Sequence, residues 1–254
     1  MLGQIANIIR ITKPIHYLKA ARSPSYALNA FKYHYRRVSE RRFVEFLAKK
    51  WGCTSSDVDE AYKDLISHIE LWKNIETKLS VYANAYGLQM TKELPSLYLI
   101  TRLVRPNRVV ETGVSAGTSS AYILCALHDN KKGKLYSIDL PPDNLPTGKG
   151  SGWIVPESFM DRWSIHIGDS KELLHPLLND LGEIDIFFHD SLHTYDHMIW
   201  EFMTAWKYLR PQGLFLSHDV GRNMAFFDFM QAVRIPWTDY RVFHVLGAFQ
   251  KQRP

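Results

Sequence analysis

The sequence predicts an α/β protein with a doubly wound, mostly parallel sheet that is preceded by an N-terminal helical extension. The first observation is an alternation, from about residue 105 onward, of short apolar segments with longer segments of helical periodicity. The second is a purely helical pattern in the residues before that point. The third is size, because 254 residues with 46% apolar composition suffice for one substantial core and an extension.

The extension differs from the rest of the chain in charge. Residues 1–50 contain eleven Lys and Arg residues and only two acidic ones, whereas the whole chain has a net charge of +5, so the remainder is mildly acidic. Apolar spacing at residues 2–9 predicts a short helix that Pro14 ends or kinks. Residues 31–51 then interleave aromatic with basic side chains.

This basic segment is compatible with several kinds of contact. We favour a helical cap that packs on the domain or on a second copy of the chain, as in a homodimer. A peripheral contact with an anionic membrane surface is the second choice. We expect no nucleic-acid partner, because the body of the protein is acidic where a nucleic-acid cleft would be basic.

Two further helices precede the sheet. The hydroxyl residues Thr54, Ser55 and Ser56, followed by the amphipathic stretch 57–79, predict one capped helix. Residues 93–104 predict another, which ends before the Arg-Pro pair that follows. We therefore divide the chain into a basic, mostly helical extension, residues 1–90, and an α/β domain, residues 91–254.

The domain consists of alternating strands and helices, which places helices on both faces of a parallel sheet. Strands are predicted at residues 108–112, 134–139, 163–167, 184–190 and 213–219, with helices near 117–128, 170–180 and 193–209. Residues 209–213 are predicted as a turn into the fifth strand, and residues 239–252 as one or two closing strands.

The cysteines and the apolar runs indicate the compartment. Cys53 and Cys125 form neither a disulfide framework nor a Cys-x-x-Cys pair, so we expect a reducing, cytoplasmic location. No apolar run reaches the ~18–20 residues of a membrane span. Residues 1–18 also lack the pattern of a signal peptide.

A loop with few large side chains follows the first predicted strand. Residues 109–120 read VVETGVSAGTSS, in which Gly113 permits a sharp turn and Gly117 a close backbone approach. Ligands of open parallel sheets bind beyond the carboxyl ends of the strands, where helix N-termini present free N–H groups. This loop therefore predicts a ligand site.

The residue types in this loop distinguish between candidate ligands. A dinucleotide fingerprint requires Gly-x-Gly-x-x-Gly, whereas this loop has Gly113, Ser115 and Thr118 at those positions. Glu111 stands two residues before the first glycine, where a carboxylate would repel a pyrophosphate. The same carboxylate suits a ligand with an ammonium or sulfonium charge.

Three further acids end the next strands. Asp139 is placed to accept hydrogen bonds from two ribose hydroxyls, Asp169 to bind an adenine amino group, and Asp190 ends the fourth strand. One acid at a strand end is usually a solvated turn. Four in succession beside a glycine loop instead favour a cationic ligand that contains adenosine.

Five motifs occur in order along the chain: VVETGVxxGxSS, LYSIDLP, GWxVP, GDS and HDSLHTY. With these motifs the chain resembles the class I S-adenosylmethionine-dependent methyltransferases, and more narrowly a bacterial and archaeal group that carries the same segments. The resemblance covers roughly residues 90–250. It implies a Rossmann-like methyltransferase fold, S-adenosylmethionine as the cofactor, and methyl transfer as the activity.

The resemblance also implies roles for the matching residues. The implied cofactor-binding residues are Glu111, Gly113, Ser115 and Gly117 in the methionine-side loop, Thr118 and Ser119 at the helix start, Asp139 at the ribose, Asp169 and Ser170 beside the adenine, and Asp190 at the fourth strand end. Trp153 is equally compatible with a cover over the cofactor and with a place in the core.

Catalytic candidates cluster in residues 187–198, FFHDSLHTYDHM. In one hypothesis His193 is the general base for an acceptor hydroxyl and Asp190 orients it. His189 is expected to point back toward the sheet. His197, one turn further along the helix, is expected to face solvent or a partner.

In a second hypothesis, Asp190 and Asp219 coordinate a divalent cation that binds the acceptor oxygen, as in the related catechol-type and macrolide-sugar O-methyltransferases. Such sites surround Mg²⁺ with carboxylate and amide oxygens. His218 stands where those relatives commonly have Asp, so a metal is compatible with the sequence but not favoured. In a third interpretation these histidines only cap strands. The predicted catalytic residues are His193, Asp190 and Asp219, and no metal ligand is assigned.

The sequence thus predicts an S-adenosylmethionine-dependent methyltransferase that acts on oxygen of a small-molecule or sugar-like acceptor. Two alternatives remain open. An NAD-dependent oxidoreductase would share the fold, but the missing glycines argue against it. A non-catalytic cofactor-binding scaffold would also share the fold, but it has no need of acids at four strand ends.

Overall fold

The computed structural model describes residues 36–86, 90–141 and 145–253. The helix predicted at residues 2–9 and its end at Pro14 lie outside the described residues. The described part of the predicted extension begins at residue 36.

One seven-stranded sheet forms the centre of the protein. Its strands are β1 (Arg108–Thr112), β2 (Lys134–Asp139), β3 (Trp163–Ile167), β4 (Ile184–His189), β5 (Leu209–Ser217), β6 (Tyr240–Phe243) and β7 (Leu246–Gln250). They lie in the order β3-β2-β1-β4-β5-β7-β6, with β1 to β5 parallel and β7 antiparallel to both of its neighbours. The predicted fold class is confirmed, and the tail supplies two closing strands.

Helices cover both faces of this sheet. They are α1 (Glu40–Lys50), α2 (Ser55–Ser67), α3 (Ile69–Tyr86), α4 (Leu94–Val104), α5 (Thr118–Asp129), α6 (Ser170–Leu181), α7 (Tyr195–Tyr208) and α8 (Ala225–Ala232), with one 3₁₀ helix at Glu157–Arg162. The pleat of β4 explains its apolar sequence: Ile186 and Phe188 pack with α1 to α5, whereas Phe187 packs with α6 to α8.

Two predicted elements differ from the structure. The stretch 57–79 is not one helix, because α2 and α3 meet at His68, whose Nε2 lies 2.8 Å from the Asp129 carboxylate. No glycine or proline marks this break in the sequence. Residues 209–213 are not a turn either, since β5 starts directly after α7 with a register irregularity opposite β4.

The described part of the extension packs on the domain. Helices α1, α2 and α3 share one apolar cluster with α4 and α5, and the backbone N–H of Val38 donates to the carbonyl of Val242 in β6 at 2.8 Å. The division of the chain at residue 90 stays a prediction. None of the helices within the described ranges combines the length and the apolarity needed to cross a membrane.

Thr54 begins α2 as predicted, with a reciprocal capping box. The Asp57 N–H donates to Thr54 Oγ1 at 3.2 Å, and the Thr54 N–H donates to Asp57 Oδ2 at 2.6 Å. These bonds occupy backbone donors that the first turn of a helix otherwise leaves without partners.

We therefore expect Thr54→Ala to lower the free energy of unfolding by about 1 kcal/mol, because the cap acceptor is lost. Chemical denaturation followed by circular dichroism measures the change. Ser56→Ala, which removes an exposed hydroxyl from the same turn, is the matched control and should change stability by less than about 0.5 kcal/mol. Equal losses in the two variants would contradict the capping role.

Candidate functional site

A cleft opens at the carboxyl ends of β1 to β4, where the loops after these strands meet. Its volume is about 520 Å³. Eight of the ten predicted cofactor residues line it: Gly113, Ser115, Thr118, Ser119, Asp139, Asp169, Ser170 and Asp190. The other two, Glu111 and Gly117, do not line the cleft.

The glycine loop lies against the end of β4. Gly113 has a φ of +87°, and a Cβ built on it would lie 2.2 Å from the carbonyl oxygen of Asp190. Any larger residue would therefore clash with backbone as well as adopt an unfavourable conformation. Gly117, with a φ of +96°, is the N-cap of α5, and a Cβ built on it would lie 2.7 Å from the Cα of Gly152. The turn and the close approach predicted for these glycines are both present.

Glu111 lies beneath the loop rather than in the cleft. Its fully buried carboxylate accepts hydrogen bonds from the hydroxyls of Ser119 at 2.6 Å and of Ser120 and Ser137 at 2.7 Å. Burial raises the pKa of Glu111 to about 7, although the three hydroxyls oppose this shift. In the structure Glu111 therefore ties β1 to β2 and to the first turn of α5.

The next two acids do line the cleft. Asp139 accepts a hydrogen bond from the N–H of Val114 at 2.8 Å and another from the hydroxyl of Ser151. Asp169 caps α6, because its Oδ1 accepts from the N–H of Lys171 at 2.8 Å. Both carboxylates are thus oriented by bonds to backbone or hydroxyl donors at the cleft wall.

A segment after β2 supports the loop from the other side. The N–H of Gly152 donates to the carbonyl of Ser115 at 2.8 Å, and the N–H of Ile154 donates to that of Ala116 at 3.2 Å. Trp153 packs against the core and makes an edge contact with Tyr82, with ring centroids 5.3 Å apart. It is not among the residues of the cleft, so the structure favours the core alternative for this tryptophan.

The predicted catalytic residues do converge after β4 and β5. Asp190 Oδ1 lies 3.5 Å from His193 Nε2 and 3.0 Å from His218 Nδ1, and Asp219 Oδ1 lies 3.9 Å from the same His218 nitrogen. Asn223 fixes the loop around His193, since its Nδ2 donates to the His193 carbonyl at 3.2 Å while its Oδ1 caps α8.

The two imidazoles of this cluster differ in their surroundings. Burial lowers the pKa of His193 to about 4, although the Asp190 carboxylate opposes this shift, so the ring is neutral at pH 7. Burial also disfavours charge on His218, but Asp190, Glu93 and Asp219 outweigh it and raise its pKa to about 10. One ring is thus a proton acceptor and the other a cation.

Sequence reasoning missed Glu93, which the structure places beside His218. Glu93 is 2% exposed and accepts hydrogen bonds from His218 Nε2 at 3.0 Å and from His244 Nδ1 at 2.7 Å. Burial would raise the pKa of Glu93, but the bond from His218 is the largest of several opposing effects that lower it to about 2. As the residue before an amphipathic helix, Glu93 carried no local signal of this role.

Sequence reasoning also missed Glu201, a fully buried acid in the middle of α7. Its carboxylate lies 2.6 Å from His189 Nδ1 and 2.9 Å from His197 Nε2, and it accepts a hydrogen bond from Thr112 Oγ1 at 2.6 Å. Burial would raise the pKa of Glu201, yet the bonds from the two histidines lower it well below its usual range.

These contacts test two predictions. His189 was expected to point back toward the sheet; it is the last residue of β4, and its ring is buried against Glu201 and Phe202 of α7. His197 was expected to face solvent or a partner, which is wrong: it is 7% exposed and lies at the cleft, because Glu201 one turn along α7 draws it inward.

Within the described residues, two groups of three side chains bring potential metal-ligand atoms within 4.8 Å of one another. One is Asp190, His193 and His218; the other, away from the cleft, is His68, Cys125 and Asp129.

Comparisons with known proteins agree with this geometry. The family model described as "Methyltransferase domain" matches residues 110–220, which include the glycine loop and the strand ends that carry the predicted catalytic residues. A search of curated proteins found no significant match.

Solved structures with the same fold are methyltransferases. PaMTH1 of Podospora anserina, solved with S-adenosylhomocysteine bound, shares 16% identity over 72% of this chain and 88% of its own, with a TM-score of 0.54. The O-methyltransferase TomG of Streptomyces achromogenes, solved with S-adenosylmethionine, shares 17% over 68% and 89%, with a TM-score of 0.52. An O-methyltransferase of Bacillus cereus, solved with S-adenosylhomocysteine, shares 13% over 78% and 92%, with a TM-score of 0.51.

The chain spans less than half of another matched structure. It covers 45% of the length of the MycE methyltransferase of mycinamycin biosynthesis, with 18% identity over 58% of this chain and a TM-score of 0.44. The family match shows that residues 110–220 are similar to a methyltransferase domain, and the solved structures agree with this in fold.

Proposed function

We propose that this protein transfers the methyl group of S-adenosylmethionine to an oxygen atom of a small-molecule or sugar-like acceptor. The observation that carries the proposal is the composition of the cleft within the matched segment. Asp139, Asp169 and Asp190 come from three different strand ends and line one cavity, whereas Lys171 is the single cationic lysine or arginine among its described lining residues.

This charge pattern suits a sulfonium ligand better than a dinucleotide. The methionine portion would lie along the loop that contains Gly113 and Ser115, the ribose at Asp139, and the adenine beside Asp169 and Ser170. A pyrophosphate in the same place would face three carboxylates. The cleft therefore favours the methyltransferase over the NAD-dependent oxidoreductase.

The buried groups argue against a non-catalytic scaffold. The ionisable side chains of His193 and Glu201 are largely buried. Burying an ionisable group costs free energy unless its partners compensate for the lost hydration. A protein that only bound the cofactor would not require a neutral imidazole next to the cleft residue Asp190. We take this cost as support for a catalytic site.

The chemistry follows from the position of His193. Bound S-adenosylmethionine supplies a methyl group on a sulfonium, from which an acceptor oxygen displaces the neutral thioether in line. His193 Nε2 is buried without a hydrogen-bond partner and takes the proton of the acceptor hydroxyl. Asp190, 3.5 Å away, stabilises the charge that this proton brings to the ring.

The presence of His193 as a base supports oxygen as the acceptor atom, because a hydroxyl group must lose its proton during methyl transfer. TomG and the Bacillus cereus protein are O-methyltransferases of the same fold. The contacts proposed for the basic N-terminal segment, with a second copy or an anionic membrane, concern residues that are largely undescribed. The cytoplasmic location also stays a proposal, and the free thiols of Cys53 and Cys125 agree with it.

Cofactor binding is the first test. We expect calorimetric titration to detect binding of S-adenosylhomocysteine and none of NAD, because the cleft has carboxylates where a pyrophosphate would lie. Asp139→Asn should weaken binding of S-adenosylhomocysteine by at least about tenfold, since hydrogen bonds to a charged acceptor contribute about 1.5–3 kcal/mol. Asp161→Asn, at an exposed position outside the cleft, is the matched control. Tight binding of NAD alone would reverse the proposal.

Turnover tests the general base. His193→Ala should lower turnover by about 10²–10⁴ and leave the affinity for S-adenosylhomocysteine nearly unchanged, because the base acts on the acceptor proton. His175→Ala, an exposed histidine on α6, should leave both quantities unchanged. Transfer of labelled methyl groups to a panel of hydroxyl acceptors provides the measurement. Unchanged turnover in His193→Ala would remove this residue from the mechanism.

The pH dependence provides an independent check. A base must be unprotonated, so kcat/KM should fall as the pH falls through the pKa of about 4 that burial gives His193. Between about pH 5.5 and 8 we therefore expect no loss of kcat/KM on the acidic side. A loss centred near the ordinary histidine pKa of about 6.5 would show that the base is not the buried His193 ring.

A further inference from the structure

The space between Asp190 and Asp219 already contains a side chain. His218 Nδ1 lies 3.0 Å from Asp190 Oδ1 and 3.9 Å from Asp219 Oδ1, so its ring lies where a divalent cation would have to bridge the two carboxylates. The contact with Asp190 is an ion pair rather than an aligned hydrogen bond. Mg²⁺ binds near-octahedrally to oxygen atoms at about 2.0–2.1 Å, a geometry that an imidazole in this place obstructs.

The far side of the same ring is also occupied. His218 Nε2 lies 3.0 Å from Glu93 Oε1, and Glu93 is 2% exposed. The other oxygen of Glu93 accepts from His244 Nδ1 at 2.7 Å. Three carboxylates thus surround one imidazole, and each ring nitrogen faces at least one of them.

A backbone hydrogen bond and the contact with Glu93 together fix the position of His218. The N–H of His218 donates to the carbonyl of His189 at 2.8 Å, directly after the paired ends of β4 and β5. Rotating the ring away would leave the carboxylate of Glu93 buried with one fewer donor, which is costly. The arrangement is therefore part of the sheet edge rather than a mobile surface contact.

The donor set does not fit Mg²⁺. Of the three side chains whose ligand atoms cluster here, two are histidines, and Mg²⁺ prefers oxygen ligands. Softer metals such as Zn²⁺ accept imidazole ligands, so this mismatch concerns Mg²⁺ and other hard cations. The residues present at this position therefore disagree with the oxygen-ligand metal site expected in related O-methyltransferases.

We propose that the side chain of His218 takes the place of the Mg²⁺ ion, so that this methyltransferase domain works without Mg²⁺. His218 supplies the positive charge between Asp190 and Asp219 and positions Asp190 against His193. Glu93 and His244 hold it from behind. His218 is thus a positioning residue, since it acts through Asp190. This inference deepens the proposed function and rests on it, but metal binding is measurable without any acceptor.

The test uses the whole chain, freed of metal by chelation, and Mn²⁺ alone as the probe, followed by electron paramagnetic resonance in the presence of S-adenosylhomocysteine. We expect no saturable binding by the wild-type protein. His218→Asp removes the cation and restores a third oxygen ligand, so it should bind Mn²⁺ at least about tenfold more tightly. His175→Asp adds the same negative charge on the outer face of α6 and should not gain binding.

Saturable binding of Mn²⁺ by the wild-type protein, lost in Asp190→Asn, would overturn the inference. Failure of His218→Asp to gain binding, in a variant that still binds S-adenosylhomocysteine, would overturn it as well. If the wild-type protein did not bind S-adenosylhomocysteine, that result would instead count against the proposed function.

A second measurement needs no variant and covers the case in which His218→Asp does not fold. Imidazole nitrogen resonances of the wild-type protein should show the His218 ring protonated on both nitrogens and unaffected by Mn²⁺. Selective broadening of that ring by stoichiometric Mn²⁺ would show a metal at this position and would refute the proposal.

Discussion

The close approach of the glycine loop to the end of β4 is the constraint on which the site depends. Gly113 lies so near the Asp190 carbonyl that a Cβ would meet it at 2.2 Å, and the N–H of Asp190 donates to the Thr112 carbonyl at 2.7 Å. The loop that we assign to the cofactor and the acid that we assign to catalysis are therefore backbone neighbours. Because parallel pairing fixes the register of β1 and β4, no side-chain rearrangement is needed to bring them together.

Local sequence patterns were sufficient to predict the strands of the sheet. The first three strands have the predicted bounds, because alternation, flanking turn residues and burial on both faces all act within a few residues. The break between α2 and α3 was not predictable in this way. It falls at His68, which pairs with Asp129, 61 residues away, and no glycine or proline marks it in the sequence.

The residues of the candidate site likewise fall into those that local sequence patterns predict and those that depend on distant contacts. Residues that follow a strand, such as Asp139 and Asp190, were predictable because every parallel strand ends at one edge of the sheet. Glu93 and Glu201 were not, since each is an acid within or beside an amphipathic helix and reads as a solvated position. Glu93 meets His218 across 125 residues, at the start of α4, a helix that packs on α1, α2 and α5.

The two histidines show why such neighbours decide chemistry. The rings of His193 and His218 are 5.7 Å apart, and burial disfavours a charge on both. Asp190 lies between them and compensates one positive charge, not two. Glu93 adds a second carboxylate to His218 alone, so the proton resides there and His193 stays neutral and able to accept another. The division into a base and a fixed cation therefore comes from Glu93, an acid directly before α4 that is far from both histidines in sequence.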